Sequence, residues 1–266
     1  MKRLLLIAAL CACDKPNDAP KPDPATTAST PIAAVDASLP VKEDPLNALL
    51  SGGGPVIREE KTVTVDGVTE KWRLEWAKSP VPTCVDDSWS TCLCAGFAFG
   101  EKGDLDLLRT RPGAADEHFR LDSLFDDQDS HLRRWRPTKA DDGKKPNIAD
   151  LSMRPVDSLM KLADYDHDGR ATEMVLQVGA GPCGHTPSVV IGISRSNPKL
   201  HAFAPKDKPS EPLTFDHPAD WDRLLAKPSI DVVQVACSDH GAEQEQDLNV
   251  TADGEFHVKT TTKKCP

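Results

Sequence analysis

Alternating apolar and polar positions along the chain predict short strands joined by tight turns. Residues 56–65 and 68–77 alternate on either side of Asp66-Gly67, a pair that tolerates the positive φ of a two-residue hairpin turn. Residues 93–99 and 105–108 predict a second hairpin around Gly100-Glu101-Lys102-Gly103, and residues 188–194 and 199–203 a third across Asn197-Pro198. Residues 230–236 form a β-branched apolar run, and residues 247–251 and 255–261 flank Asp253-Gly254 as a last hairpin. Helical spacing is confined to residues 156–162 and to residues 219–226, which follow Pro218, a residue suited to a first helical turn. Hairpins outnumber helices. The expected fold class is α+β, predominantly antiparallel β hairpins with a few short helices, and a small or partial β-propeller is the alternative.

The first residues read differently. Met1-Lys2-Arg3 and the run Leu4 to Leu10 give a charged head and an apolar stretch too short for a helix of about 20 residues to span a bilayer, as in a processed export signal. Leu10-Cys11-Ala12-Cys13 resembles the bacterial lipobox, which implies cleavage after residue 12 and lipidation of Cys13. Cys13 fits better than Cys11, because Leu10 would put a large side chain just before the cut. Several acyl chains on one cysteine anchor stably, whereas a single chain is marginal. Asp14 resembles the retention signal of enteric lipoproteins, and the leaflet stays open between inner and outer membrane.

Residues 13–45 are rich in Pro and Ala and lack aromatic side chains, so they cannot bury a core and serve as a disordered tether. Extended as polyproline II, such a stretch reaches roughly 90 Å. Residues 46–266 are long enough for a single disulfide-containing globular domain. The whole chain carries a formal charge of −10, and loss of Lys2 and Arg3 with the signal makes it more acidic still. Nucleic acid is therefore excluded as an expected partner, since that affinity rests on clustered Lys and Arg. The one basic knot, His131 to Arg136, is expected as a solvated helix end or a partner for the acidic residues 126–129.

The sharpest chemical pattern is Asp164-Tyr165-Asp166-His167-Asp168-Gly169-Arg170-Ala171-Thr172-Glu173. Carboxylates on alternate residues followed by glycine wrap oxygen ligands around calcium: Asp164, Asp166 and Asp168 at loop positions 1, 3 and 5, Gly169 at the turn, Arg170 through its carbonyl, and Thr172 at position 9. Val175 stands where an EF-hand needs a bidentate Glu, so a helix-loop-helix is excluded and a weak site is expected unless Glu173 reaches back. The loop leads into the strand-like Met174 to Val178 and then Gly179-Ala180-Gly181-Pro182. The whole piece, about twenty residues, resembles the FG-GAP repeats of integrin α-chain propellers. That resemblance implies calcium bound at 164–173 to hold a turn together, and no catalysis. Asp104-Leu105-Asp106 and the stretch 247–254 are poor copies of the loop, which weakens the propeller alternative.

The globular part holds Cys84, Cys92, Cys94, Cys183, Cys237 and Cys265, and an even number in an exported chain points to disulfides. Gly181-Pro182-Cys183-Gly184-His185 and Ala236-Cys237-Ser238-Asp239-His240-Gly241 each close an apolar strand, so a Cys183 to Cys237 bridge with both imidazoles exposed is expected. Zinc on these residues is disfavoured, because Cys183 and His185 are closer in sequence than paired zinc ligands usually are. The expected function is a lipid-anchored cell-envelope module, calcium-stabilised, meeting an envelope protein or cell-wall partner. One alternative is a hydrolase using His185, Asp239 and His240, which lacks any accompanying nucleophile motif. Another is a periplasmic inhibitor or chaperone acting through Trp72, Trp76, Trp89, Trp135 or Trp221.

Overall fold

The structure is a computed structural model that describes residues 54–83, 99–125, 130–135, 158–179, 185–237 and 242–266. The signal, Cys13, the tether, Cys84, Cys92, Cys94, Cys183, Trp89, Asp239 and His240 lie outside the described residues. Among the described residues the protein is mostly antiparallel sheet with one short α-helix, the β-rich part of the expectation. The blades of a propeller are not shown.

The first sheet has the order β1-β2-β5-β6, with β1 at Val56–Val65, β2 at Val68–Trp76, β5 at Leu105–Thr110 and β6 at Glu117–Arg120. Asp66 and Gly67 take φ of 49° and 80°, the predicted hairpin turn. A small second sheet, β3-β4-β7, joins Val81–Thr83, Phe99–Gly103 and Ser130–Trp135. In the third, β9 (Ser188–Gly192) pairs with β8 (Glu173–Gln177), β10 (His201–Ala202) and β11 (Thr214–Phe215). The last sheet is β12-β13-β14, Ser229–Val235, Gln244–Ala252 and Phe256–Lys264, with α1 (Pro218–Ala226) leading into it.

Two hydrophobic cores share the β8-β9 ribbon as a common wall. Met174, Leu176, Val189 and Ile191 join Trp72, Leu74, Trp76, Leu105 and Leu107 in the first core. Val190, from the opposite face of β9, joins Phe215, Trp221, Leu224, Val232, Val250 and Phe256 in the second, with Val175 packed against it. Every residue of β9 is buried, which explains why its sequence is a continuous apolar run instead of an alternating one. Trp221 seals α1 onto this ribbon by donating its indole N–H to Ser188 O at 3.2 Å.

Three expectations are corrected. Gly100 to Gly103 is not a turn: β4 runs through it and pairs with β3 and β7, while β5 pairs with β2 in another sheet. The basic knot is a strand, β7, that buries Leu132. The described residues 158–162 are not helical. There the Glu59 carboxylate accepts from Leu159 N at 2.7 Å and Met160 N at 3.3 Å, and Lys61 donates to Met160 O, so side chains of β1 satisfy the backbone groups a helix would use.

Candidate metal centre

Residues 164–172 form a closed loop whose neck is Ala163 and Glu173. Ala163 N donates to Glu173 O at 2.8 Å and Glu173 N to Ala163 O at 3.1 Å, so β8 begins where the loop ends. Positive φ at His167 (59°) and Gly169 (89°) lets the chain curl back within this short span. The carboxylates order the turn from inside: Asp168 N donates to Asp166 Oδ1 at 3.0 Å, Gly169 N to Asp164 Oδ2 at 3.1 Å and Arg170 N to Asp168 Oδ1 at 2.8 Å.

Four neighbouring segments grip the loop from outside. Arg170 pairs with Asp66 in the β1-β2 turn. Arg195, just beyond β9, donates its backbone N–H to Asp168 Oδ2 at 2.6 Å and its Nε to Asp168 O at 2.7 Å. Gly254, in the β13-β14 turn, donates to Asp166 O at 2.6 Å. The His167 ring meets Leu224 O, near the end of α1, at 2.7 Å. The loop thus ties elements of both cores together.

At its centre, one carboxylate oxygen each from Asp164, Asp166 and Glu173 lies within 4.8 Å of the other two. Asp166 and Glu173 are fully buried. Glu173 is held from both sides: Tyr165 N donates to Oε2 at 2.8 Å and Thr172 N to Oε1 at 3.2 Å. Thr172 Oγ1 sits 2.7 Å from Glu173 Oε1 and 2.9 Å from Ile193 O, so its one proton can serve only one of two acceptors. Asp164 Oδ1 and Asp166 Oδ2 are buried without a hydrogen-bond partner. Such an arrangement is unstable with every group ionised, because water is excluded and like charges face each other.

The cluster must therefore take up protons or a cation. Burial above all pushes the Asp166 carboxyl up to about 7, with Asp168 and Asp164 adding repulsion. Burial likewise raises Glu173 to about 8, against the hydrogen bonds from Thr172 and Tyr165 and with the help of the Asp166 charge. Acidic oxygens without donors are the ligand set of a hard divalent ion, which replaces the missing hydrogen bonds and cancels the repulsion together.

The expected ligands separate into two groups. Asp164, Asp166 and Glu173 converge, whereas Asp168 turns its carboxylate to Arg170 N and Arg195 N, outside the cluster. The Arg170 side chain is spent on Asp66, and the Thr172 hydroxyl faces Glu173 and Ile193. Val175, at the EF-hand ligand position, packs against the second core as part of β8.

The cysteine expectation changes. Cys237 is bonded to Cys265, with Cα atoms 5.4 Å apart, so its expected bridge to Cys183 does not form. The register of the last sheet explains this, because Gln244 pairs with Lys264 and Cys265 N then donates to Glu243 O at 2.9 Å, carrying the C-terminus back along β13. A bonded Cys237 is no thiolate ligand for zinc. His185 lies beside Asp216 and His217, two residues the sequence did not single out. Trp72, Trp76 and Trp221 are core residues and offer no partner surface. No helix among the described residues is long and apolar enough to cross a membrane. No family model, no curated protein and no solved structure matches this chain.

Proposed function

We propose that the chain is a lipid-anchored protein of the bacterial cell envelope whose globular domain is a binding or structural module clamped by a hard divalent cation, with calcium as the ion. The signal pattern ahead of Cys13 and the Pro- and Ala-rich tether support the placement. One observation carries the cation: Asp166 is fully buried with its carboxylate beside those of Asp164 and Glu173, and its Oδ2 lacks any hydrogen-bond partner. Calcium accepts irregular all-oxygen coordination with several carboxylates, and three of them with backbone or water oxygens suit it better than the strict octahedron of magnesium. The ion's role in this reading is to fasten the loop on which both cores converge, and no catalytic step is part of it. The propeller alternative has only the likeness of this one loop in its favour.

Melting of the full chain with calcium and with chelator tests the reading. At ten times the dissociation constant, linkage adds about 1.4 kcal/mol, and about 2–4 °C of melting shift per kcal/mol is expected for a domain of this size. Asp166→Asn and Glu173→Gln should abolish the shift, and Asp168→Ala should reduce it less, because Asp168 bonds Arg195 instead. Superimposed curves for the unmutated chain would sink the cation. The anchor is tested separately: Cys13→Ala should move the protein from membranes to the soluble envelope fraction and Cys11→Ala should not.

A further inference from the structure

The last sheet runs on past the core that it covers. Its inner face is apolar where Ala252 pairs with Phe256 and Val250 with Val258, and Leu248 and Val232 complete the second core. In the next row Val235, Gln246 and Thr262 lie side by side on that face, followed by Gln244 beside Lys264. Val235, Glu243, Gln244, Gln246 and Thr262 line an open groove of about 440 Å³ there. Residues 259–264 of β14 are all exposed, yet the strand keeps its register to Lys264 without a bulge. The Cys237–Cys265 bridge and the bond from Cys265 N to Glu243 O hold its end.

β14 is also the edge of its sheet. Among the described residues its outer side is met at one point, where Phe256 bridges Pro205 and accepts from Lys206 N at 2.8 Å. That bond fixes which residues look outward. Backbone groups alternate along an antiparallel strand, so Val258, Thr260, Thr262 and Lys264 direct N–H and C=O away from β13, whereas Cys265 N–H points toward it. The free edge therefore spans residues 258–264, roughly 20 Å of ladder without a partner.

We propose that the outer edge of β14 is an interaction surface that takes an extended, acidic segment of a partner protein as a fourth strand. Main-chain bonds supply the attachment in such strand addition, and side chains supply the selection. From Phe256 to Pro266 the chain holds Lys259, Lys263 and Lys264 and no acidic residue. Lys263 is already paired with Glu245 and Asp247, whereas Lys259 and Lys264 hold no ion pair. Acidic side chains opposite these lysines stabilise an added strand, and like charges there destabilise it. A second copy of β14 is thereby refused, because antiparallel pairing about Thr261 sets Lys259 against Lys263. The Pro-rich tether is refused as well, since proline has no N–H for the ladder. Lysines on an edge also deter stray pairing, but edges meant only to be blunt are kept short, bulged or covered. This one is long, regular and stapled at its end, with the groove beside it open to the partner's inward side chains. The surface depends on neither the anchor nor the cation.

Fluorescence anisotropy of the oxidised full chain with labelled peptides tests the proposal. The probe is Thr-Glu-Val-Glu-Val-Glu-Thr, and its control carries Lys in place of each Glu. The acidic peptide should bind at least about tenfold more tightly than the control, as the sum of several reversed cross-strand pairs. Lys259→Glu, at an exposed position, should remove most of that preference. Thr260→Pro deletes one outward N–H and leaves the bonds to β13 in place, so the chain should keep its tryptophan fluorescence and its disulfide. Its affinity for the acidic peptide should fall about tenfold, the loss of one backbone bond with the acceptor left unpaired. Equal binding of the two peptides, no binding of the acidic one at millimolar concentration, or binding untouched by both variants overturns the proposal. So does a dimer in sedimentation that Thr260→Pro abolishes, which would give the edge to a second copy.

Discussion

Removing either partner of the Glu70–Arg109 ion pair should destabilise the domain far more than removing both. Both side chains are buried, each 3% exposed. Arg109 grips Glu70 with two parallel bonds, Nε to Oε2 at 2.6 Å and Nη2 to Oε1 at 2.8 Å. The Trp72 indole also donates to Glu70 Oε2 at 3.1 Å, and Arg109 Nη1 donates to Pro198 O at 2.6 Å. Glu70→Leu leaves a guanidinium buried against Trp72 with only the longer contact to Glu117 Oε2, 3.4 Å from Nη1, to offset its charge, and Arg109→Met leaves a carboxylate with one indole N–H. Breaking a buried pair in this way costs about 3–5 kcal/mol, whereas a well-packed apolar replacement of both partners can be nearly neutral. At about 2–4 °C per kcal/mol, each single variant should melt roughly 6–20 °C lower. The double variant should recover most of that loss, less Arg109's bonds to Pro198 O in the β9-β10 turn and to Glu117. Urea unfolding followed by tryptophan fluorescence gives the double-mutant cycle directly. Single variants within about 1 kcal/mol of the parent, the range of exposed pairs, would refute the argument that Glu70 and Arg109 are a desolvated pair.

The other expectations use the same assays. Gly192→Ala would set its Cβ 2.2 Å from Thr172 O and 2.9 Å from Glu173 Cα at φ 153°. Overpacking together with backbone strain should lower stability by about 2–5 kcal/mol and, because Glu173 is displaced, also shrink the calcium response. Cys265→Ser opens a bridge spanning 28 residues, and the chain-entropy relation sets an upper loss of about 3.5 kcal/mol; an equal melting temperature for oxidised and reduced protein would contradict it. In chelator, stability should fall as pH rises. The folded state holds protons on Asp166 up to about 7 and on Glu173 up to about 8, while the unfolded chain releases its own near 4, so the loss begins near pH 4 and is complete above pH 8. Saturating calcium should flatten that slope, and a slope unchanged by calcium would count against the shared site.

How much of the fold could be read in advance depended on whether its cause was local. The hairpins β1-β2 and β13-β14 carry Asp-Gly turns between alternating strands, and both formed with the turns in place. The β9-β10 pair across Asn197-Pro198 was equally legible. Gly100 to Gly103 was misread because its two glycines resemble a turn. A Cβ at Gly103 would meet Pro80 Cα and the Trp76 ring at 3.5 Å, an ordinary contact, and the residue does not take a positive φ, so neither crowding nor a turn requires glycine there. Helical spacing failed over the described residues 158–162 because Glu59 and Lys61, a hundred residues earlier, capture that segment's backbone. The Glu70–Arg109 pair left no local trace either: each residue reads as a surface charge until β2 and β5 lie side by side with Trp72 facing Arg109.

The acidic loop shows the same division at the scale of ten residues. Alternate aspartates and a glycine announce a cation loop, but loop positions assign ligands only if the chain leaves the loop as an EF-hand does, through a helix. Here it leaves as strand β8, closed at once by the Ala163–Glu173 bridge. A strand sends successive side chains to opposite faces, so Glu173 points inward, Met174 enters the first core and Val175 the second. The inward Glu173 takes over as third carboxylate, and Asp168 is free to serve Arg195 on the rim. Gly192 is the residue opposite Glu173 that makes this exchange sterically possible, because any side chain there would strike Thr172 O. The glycine that makes room for this acidic cluster thus sits outside the motif, on the neighbouring strand.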